Sequence, residues 1–376
     1  MPGPPATGRE VVIEFAGLPA RAWLPATLAD RTLDIETPTV RAAAAAAGSI
    51  LRADDRLSPR LESLGRLLHR SEAVASSNIE GLSAPATDVL LAGIDERLAD
   101  ETAAWIADNL AVIDDCLGHA RSRRRLTLAD LDEWHERLMR HGGLPRELVG
   151  QLRDRQGWIG GTGPATAAYV PPPPEHLPAL MSDLLAYTND GSTDPVVQAA
   201  VAHAQLETIH PWGDGNGRIG RLLVMWIVAR RLAVMPPPAS VFISSDPGGY
   251  LSGLTLFRGG PVDGWVRWFA QLLDQAALAS IQWADRVEAV EARWVSEVAD
   301  MRADAAARRL LPELARQPVV SPGVVADLLG VSASAARAGL AVLVDRGILV
   351  PLEPRGHLPG RPSNWYAARA LLDLGP

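Results

Sequence analysis

Apolar residues recur every three to four positions along most of this chain, which is the spacing of helices that bury one face. The spacing predicts helices at 39–51, 57–76, 126–139, 177–189, 195–209 and 217–229, one or two helices within 87–120, further helices within 241–275, and a long helical stretch at 271–311. The expected fold class is therefore mainly α.

Three segments lack that spacing. Residues 1–37 are rich in proline and are predicted to be irregular, with a short strand at Val11–Phe15. The glycine-rich segment 150–161 fits a small β-hairpin or flap. The prolines at 171–174 force extended backbone, so this segment is predicted to be a rigid cover.

The pattern changes after residue 312. Two short helices at 324–329 and 335–344 precede predicted strands at 348–350 and 364–367. This order is typical of a winged helix-turn-helix, whose basic loop Arg355–Pro362 would reach a minor groove. Segment 313–376 has six Arg against five Asp plus Glu, a net charge of +1. Because so small a charge gives little phosphate affinity, DNA binding and protein docking both stay open.

Composition narrows the class of protein. A hydrophobic content of 47% fits a soluble protein, and a net charge of −8 argues against a protein that coats nucleic acid. The single Cys116 excludes an internal disulfide framework. The sequence contains neither a signal-peptide pattern at its N-terminus nor an apolar run of about 18 residues. We expect a cytoplasmic protein without a membrane contact; a homodimer is compatible with the sequence.

Residues 210–221 concentrate the candidate chemistry: they read His-Pro-Trp-Gly-Asp-Gly-Asn-Gly-Arg-Ile-Gly-Arg. Glycines followed by a helix start present backbone N–H groups to an anion. Arg218 and Arg221 are three residues apart, so both can reach one polyphosphate. Asp214 is placed to hold a divalent cation and His210 to move a proton. The stretch predicts a nucleotide-processing site.

Other interpretations of residues 210–221 account for fewer of its side chains. Gly215–Gly220 matches the dinucleotide fingerprint in spacing, but a helical pattern rather than a strand precedes it. A phosphate-binding P-loop needs a Lys after its glycines, and the chain has no Lys. His203, Glu207 and His210 have the spacing of zinc ligands on a helix, although His203 is better explained as an ordinary helix residue. A purely structural turn would hardly need Asp, Asn and two Arg together.

Ser76 and Glu80 stand one helical turn apart just before Gly81, a common residue beyond a helix end. A carboxylate at such an end opposes the helix dipole, which suggests an unusual partner. From the local sequence alone, a solvated surface position is the favoured interpretation.

The stretch 210–221 resembles the signature of the Fic (filamentation induced by cAMP) family, His-x-Phe-x-[Asp/Glu]-Gly-Asn-Gly-Arg-x-x-Arg, with Trp212 in place of Phe. Segments 150–161 and 169–174 resemble the flap of that family, and 76–81 resembles its [Ser/Thr]-x-x-x-Glu-[Gly/Asn] inhibitory motif. The resemblance spans roughly residues 60–275 and implies a Fic-type helical bundle with a small β-hairpin flap.

The resemblance also implies an activity, the transfer of AMP from ATP to a Ser, Thr or Tyr hydroxyl of a protein, the chain itself included. In that activity His210 would be the general base, and Asp214 would hold Mg²⁺. Asn216 would stabilise the α-phosphate with the amides of the glycine loop, while Arg218 and Arg221 would hold the β- and γ-phosphates. The glycines concerned are Gly213, Gly215 and Gly217. The flap would hold the target segment through Gln156, Gly157, Trp158 and Ile159.

In the family, the motif glutamate pairs with the second arginine of the signature. The resemblance therefore implies that Glu80, with Ser76, blocks Arg221 and inhibits the chain. Four regions follow: an N-terminal region 1–120 with the inhibitory helix at about 60–81, a catalytic core 121–275, a helical linker 276–312 and a winged helix 313–376. Removal of AMP, another nucleotide donor, and a DNA-binding regulator with a nucleotide-sensing core remain alternatives.

Overall fold

The computed structural model describes residues 7–29, 31–260, 262–356 and 364–375. The helices are α1 (Thr37–Leu57), α2 (Leu61–Ile79), α3 (Ala86–Ile94), α4 (Glu101–Arg121), α5 (Leu128–Leu138), α6 (Leu177–Asn189), α7 (Pro195–Ile209), α8 (Asn216–Leu232), α9 (Ala239–Ser245), α10 (Pro247–Gly259), α11 (Val262–Glu297), α12 (Ala306–Leu310), α13 (Pro322–Leu329), α14 (Ala333–Asp345) and α15 (Arg369–Leu372). The strands are β1 (Gly8–Phe15), β2 (Leu18–Pro25), β3 (Val319–Val320), β4 (Val350–Leu352) and β5 (Trp365–Ala367). The mainly α prediction is confirmed.

Helices α7 and α8 form the centre of the larger core. Every residue of α7 from Val196 to Ile209 is buried, and so is nearly all of α8 as far as Ala229. A helix that is covered on all sides shows no polar face, which is why neither helix has a one-sided apolar stripe. The short loop between α7 and α8 thus rests on the most buried elements of the molecule.

Side-chain caps mark the starts of several of the predicted helices. The carboxylate of Asp194 accepts hydrogen bonds from the first amides of α7, with Pro195 in the first turn. Thr127 caps α5 in a reciprocal pair with Asp130, and Ser332 caps α14. Such caps satisfy amides that have no partner inside the helix, so they fix where each helix begins.

The strand predicted at Val11–Phe15 is present within β1, but the prediction of an irregular region was wrong for the rest of residues 8–25. Strands β1 and β2 pair in an antiparallel hairpin from Gly8 opposite Pro25 to Phe15 opposite Leu18. The two residues of its turn, Ala16 and Gly17, both have positive φ, 52° and 78°. Asn or Asp usually takes the first of these positions, so Ala16 concealed the turn.

Helix α11 is continuous over 36 residues and joins two cores. Trp265 and Phe269, near its start, belong to the core around α7 and α8. Trp283 and Trp294 belong to a second core with α12–α15 and the first half of α2. The predicted boundary between residues 275 and 276 therefore falls inside an unbroken helix, and the division into regions stays a prediction.

The C-terminal elements follow the predicted order of helix, helix, strand and strand. Helices α13 and α14 meet at 112°, and β3, β5 and β4 form an antiparallel sheet in that spatial order. The predicted basic loop Arg355–Pro362 lies outside the described residues except for Arg355 and Gly356. Arg355 pairs with Asp88 and Asp100, both at 2.9 Å, which joins this loop to α3 and the start of α4.

Across the described ranges, no single helix is both long and apolar enough to span a membrane; α13 and α14 meet the criterion only as a bent pair.

Candidate active site

The loop between α7 and α8 borders a cavity of about 670 Å³. His210 ends α7 in a left-handed conformation (φ 50°), and Gly215 precedes α8 in the same conformation (φ 76°). These two bends turn the loop toward the cavity. The predicted site residues that line the cavity are Glu80, Trp158, Ile159, His210, Asp214, Gly215, Asn216, Gly217 and Arg221. Ser76, Gln156, Gly157, Gly213 and Arg218 are outside this lining.

Trp212 and Asn216 hold the loop in shape. The carboxamide Oδ1 of Asn216 accepts from the amide of Trp212 at 3.0 Å, and its Nδ2 donates to the carbonyl of Trp212 at 2.9 Å. The indole of Trp212 is fully buried and donates from Nε1 to Asp132 at 3.0 Å. Asn216 is thus a clamp within the loop, a contact that the motif alone does not reveal.

His135 supports the loop from below. Its ring stacks on Trp212, and its Nε2–H donates to the carbonyl of Asp214 at 3.0 Å. Its Nδ1 accepts from the amide of Gly150 at 2.9 Å. Burial lowers the pKa of His135, which favours this neutral tautomer. The ring therefore joins the start of the flap segment to the loop, a role that no sequence pattern indicates.

Arg153 also supports the loop, and no sequence pattern indicates this role. Its buried guanidinium donates to the carbonyl of His210 at 2.8 Å and to that of Pro172 at 2.6 Å. Burial lowers its pKa to about 10, so it remains charged at neutral pH. This arginine fixes the backbone of His210 to the proline segment that covers the site.

The imidazole of His210 lines the cavity in its neutral form. Burial, followed by the positive charge of Arg153, lowers its pKa to about 4. Its Nδ1 lies 4.0 Å from Oε2 of Glu207, one turn earlier on α7. An uncharged imidazole can accept a proton from a hydroxyl, as a general base must.

Glu207 is a buried carboxyl in the same cavity. Burial raises its pKa to about 7. Tyr250 donates to its Oε1 at 3.4 Å and also contacts Nε2 of His203 at 2.9 Å.

The stacked His203 ring is buried away from the cavity, and burial lowers its pKa to about 3, which fits the interpretation of a core residue. Among the described residues no cluster of His, Cys, Asp and Glu could hold a metal by itself.

Asp214 is the carboxylate most open to a ligand. It is exposed at the cavity wall, and its Oδ1 accepts from the amide of Gly215 at 2.6 Å. Mg²⁺ commonly uses one or two protein carboxylates, with phosphates and waters as its other ligands. One exposed carboxylate beside an anion site fits a Mg²⁺ ion that is shared with a nucleotide.

Arg221 and the end of α2 form a buried clamp. The guanidinium donates from Nε to the Ser76 hydroxyl at 2.8 Å and from Nη2 to the Ser76 carbonyl at 2.9 Å. Nη2 also donates to Oε1 of Glu80 at 2.7 Å. Arg221 is 3% exposed and the Glu80 side chain 27%. The pairing that the resemblance implied is present. Glu80 is an exposed residue, as the local sequence predicts, but its carboxylate is paired with Arg221 rather than only solvated.

The Glu80 carboxylate also occupies the start of α8. A Cβ built on Gly217 would overlap Oε1 of Glu80, so only glycine permits this approach. Helix N-termini attract anions through their free amides and their dipole. The carboxylate therefore lies where the start of α8 would attract an anion.

Arg218 points to another part of the molecule. Its guanidinium lies 4.8 Å from the ring centroid of Trp105, and its Nη2 contacts the sulfur of Met139 at 3.1 Å. Within the described residues its Nε and Nη1 are buried without hydrogen-bond partners. Burial lowers its pKa. In this conformation it does not reach the cavity that Arg221 lines.

Segment 150–161 forms no hairpin of its own; its one bridge joins Ile159 to Tyr169 in the second flap segment. Ile159 donates to the carbonyl of Tyr169 at 2.8 Å and accepts from the amides of Ala168 and Tyr169. The Gln156 amide donates to the carbonyls of Gly157 and Pro171, at 3.0 and 2.8 Å. Trp158 is 39% exposed and meets the ring of Phe15 edge-on, 5.5 Å between centroids. The N-terminal hairpin thus supports the flap.

The loop between α7 and α8 lies in a segment that matches a known protein family. Residues 125–228 match the model of the family described as Fic/DOC family. The chain carries a Fic/DOC domain. Its bounds run from just before α5 to α8 and so include His135, Arg153 and the loop 210–215.

Two curated relatives are protein adenylyltransferases by name. The chain is 32% identical over 114 residues to fic-1 of Caenorhabditis briggsae, which covers 30% of this chain and 21% of the relative. It is 34% identical over 153 residues to Fic of Drosophila virilis, which covers 40% and 29%. The alignments thus span less than a third of each relative.

A solved structure shares the wider fold. The crystal structure of a Fic family protein from Desulfovibrio desulfuricans G20 covers 89% of this chain, and the chain covers 97% of it. The TM-score is 0.56 at 22% sequence identity. The similarity extends well beyond the Fic/DOC domain and concerns the fold alone.

Proposed function

We propose that the chain is an autoinhibited protein adenylyltransferase, which transfers AMP from ATP to a hydroxyl of a protein. The observation that carries the proposal is the Glu80 carboxylate at the start of α8, bonded to Arg221 in the cavity that His210 and Asp214 also line. A carboxylate held where an anion would bind is what an inhibited phosphate site requires. The names of the relatives supply the reaction class.

The neutral His210 would take the proton of the target hydroxyl as its oxygen attacks the α-phosphorus of ATP. The bond from that phosphorus to the bridging oxygen breaks, and pyrophosphate leaves. The free amides at the start of α8 would stabilise the charge that grows on the α-phosphate. Mg²⁺ held by Asp214 would neutralise phosphate charge. The Asn216 clamp would keep these groups aligned.

Both arginines would have to change partners when ATP binds. Arg221 can bind the γ-phosphate only after Glu80 leaves it, because the two anions would compete for one guanidinium. Arg218 can bind the β-phosphate only after it turns away from Trp105. The flap would pair with an extended target through Gln156–Ile159, a form of recognition that depends little on target sequence.

Intact-mass analysis after incubation with ATP and Mg²⁺ tests the proposal. We expect an adduct of about 329 Da, one AMP residue, on the Glu80→Gly variant and none on His210→Ala. The double variant Glu80→Gly/His210→Ala is the matched control. A Glu80→Gly protein that modifies neither itself nor any protein of a cell lysate with α-labelled ATP would contradict the activity.

DNA contact through 313–376 is a separate proposal with less support. Arg355 is paired with Asp88 and Asp100, Arg346 with Asp300, and Arg316 with Glu62. These arginines are therefore partly occupied by acidic groups of the chain. A gel shift with the full chain, repeated at several salt concentrations, tests it, and a salt slope near zero would exclude phosphate contact.

A further inference from the structure

A second cavity, of about 240 Å³, borders α2, the helix that carries Ser76. Leu67, Arg70 and Val74 of α2 form one wall, and Val89 of α3, Trp283 of α11 and Leu371 of α15 form the others. Ser76 and Glu80, which contact Arg221, are on a different side of α2. One helix thus separates the active-site clamp from a mostly apolar space.

Arg70 is the charged group in that apolar wall. Its Nη2 donates to the carbonyl of Arg316 at 2.7 Å, while its Nη1 is buried and has no hydrogen-bond partner among the described residues. Burial lowers its pKa to about 10, and the positive charge of Arg66 acts in the same direction. Arg70 is still a cation at neutral pH.

The carboxylate with an opposing influence on Arg70 is Asp114, and it already has a partner. Its Oδ1 lies 3.0 Å from Nδ1 of His69. In the described part of the chain, no Asp or Glu oxygen lies within 4.0 Å of the Arg70 guanidinium. Arg70 is partly buried, and a partly buried cation without a counter-charge is costly; an anion that enters the cavity would reduce that cost.

We propose that this cavity binds a small monocarboxylate, whose carboxylate pairs with Arg70 and whose apolar body fills the space between α2, α3 and α15. An arginine fork matches the two oxygens of a carboxylate. The apolar walls would favour a hydrocarbon or aromatic body over a multiply charged phosphate. A neutral ligand would leave Arg70 without a counter-charge, and Arg66 and Arg70 would repel a cation.

The same helix carries the cavity wall and Glu80, so an occupant could alter the Arg221 clamp. That consequence rests on the proposed function, but the binding itself does not. Binding is therefore measured directly and without ATP.

Isothermal titration of the full chain with straight-chain alkanoates, from butanoate to decanoate, measures the binding. We expect the Kd to fall about fourfold per methylene until the cavity is full. Octylammonium should bind at least about tenfold more weakly than octanoate, because only the carboxylate can pair with Arg70. Absence of alkanoate binding, or equal affinity for octylammonium, would overturn the proposal.

Three variants locate the site. Arg70→Met should weaken octanoate binding by about tenfold or more, and Val74→Phe, which places a ring in the cavity, should abolish it. Arg66→Met, which removes an exposed arginine one turn away, is the control and should stay within about twofold. Thermal melts show whether each variant is folded. A folded Arg70→Met or Val74→Phe protein with wild-type affinity would exclude this cavity as the site.

Discussion

Arg218 and Arg221 leave the first turn of α8 three residues apart, yet their surroundings differ. Both are almost fully buried, at 2% and 3% exposed. Arg221 meets α2, which offers a hydroxyl, a carbonyl and a carboxylate. Arg218 meets the ring of Trp105 and the sulfur of Met139. The spacing of two long side chains on a helix fixes where they start, and the neighbouring helices decide where their charges end.

This difference separates a satisfied arginine from an unsatisfied one. The charge of Arg221 is held by Glu80, which raises its pKa although burial opposes the charge. The two unpartnered nitrogens of Arg218 are a cost in free energy in this state. Arg221 would have to break its pair with Glu80 before it could bind a phosphate, whereas Arg218 has two nitrogens without hydrogen-bond partners in the described residues.

Of the changes predicted here, removal of the Glu80 carboxylate should have the largest effect, on the rate of AMP transfer. Glu80→Gly should raise AMP transfer on the order of 10- to 100-fold, since a charge-assisted hydrogen bond no longer holds Arg221. Initial rates with α-labelled ATP measure it. Asn78→Gly is the matched control, because it adds the same glycine near the same helix end and keeps the clamp. Equal rates for wild type and Glu80→Gly would show that the clamp does not inhibit.

Removal of the satisfied arginine should destabilise the fold. Arg221→Met leaves the buried Ser76 and the partly exposed carboxylate of Glu80 without their donor, at a cost of about 2–3 kcal/mol in the free energy of unfolding. Urea unfolding followed by circular dichroism measures it. A loss below about 0.5 kcal/mol would mean that water replaces the guanidinium without penalty.

Glu207, a second carboxyl near Arg221, should make the free energy of unfolding depend on pH. The pKa of Glu207 is about 7 in the folded chain and 4.5 ordinarily, so the folded state holds the extra proton between these values and loses stability as pH rises through them. Glu207→Gln removes this loss. Between pH 4.5 and pH 8, the free energy of unfolding of the variant should rise relative to that of wild type by on the order of 1–2 kcal/mol.

The control for that prediction is internal. His210, whose pKa is lowered to about 4, acts in the opposite direction, but it is present in both proteins and cancels in the difference. Arg221, Glu80, Tyr250 and Arg258 also face Glu207 and are unchanged. A difference between variant and wild type that is constant with pH would show that Glu207 is ionised in the folded chain.

Removal of the unsatisfied arginine should give the smallest effect, of opposite sign. Arg218→Met replaces a buried, partly unpaired cation with an apolar chain of similar length and should stabilise the fold by about 1 kcal/mol. The same unfolding assay measures it, with Arg221→Met as its pair. Should Arg218→Met cost as much as Arg221→Met, the two arginines would be equivalent and the comparison would fail.

Much of the site follows from local sequence because its elements depend on near neighbours. Asp194 and Pro195 mark the start of α7, and the glycines after His210 mark a turn into α8. Those signals act within a few residues, so a pattern can show them. The position of Glu80 came from the family motif, since its partner is 141 residues away.

The remaining contacts depend on side chains brought together from distant segments. His135, Arg153 and the Asn216 clamp all act on the loop main chain, and residue spacing does not encode which carbonyl a side chain will reach. The direction of Arg218 depends on Trp105, which belongs to a helix more than 100 residues earlier. A stacked aromatic ring leaves no periodic signal for an arginine elsewhere in the chain.

Because α11 is a single unbroken helix, it takes part in the local unfolding of both cores. Its first half is anchored by Trp265 among the elements of the Fic/DOC domain, and its second half by Trp283 and Trp294 among the C-terminal elements. Local opening of either core would leave half a helix without its packing partners. Amide hydrogen exchange should therefore divide α11 near its middle, each half exchanging at the rate at which its own core opens.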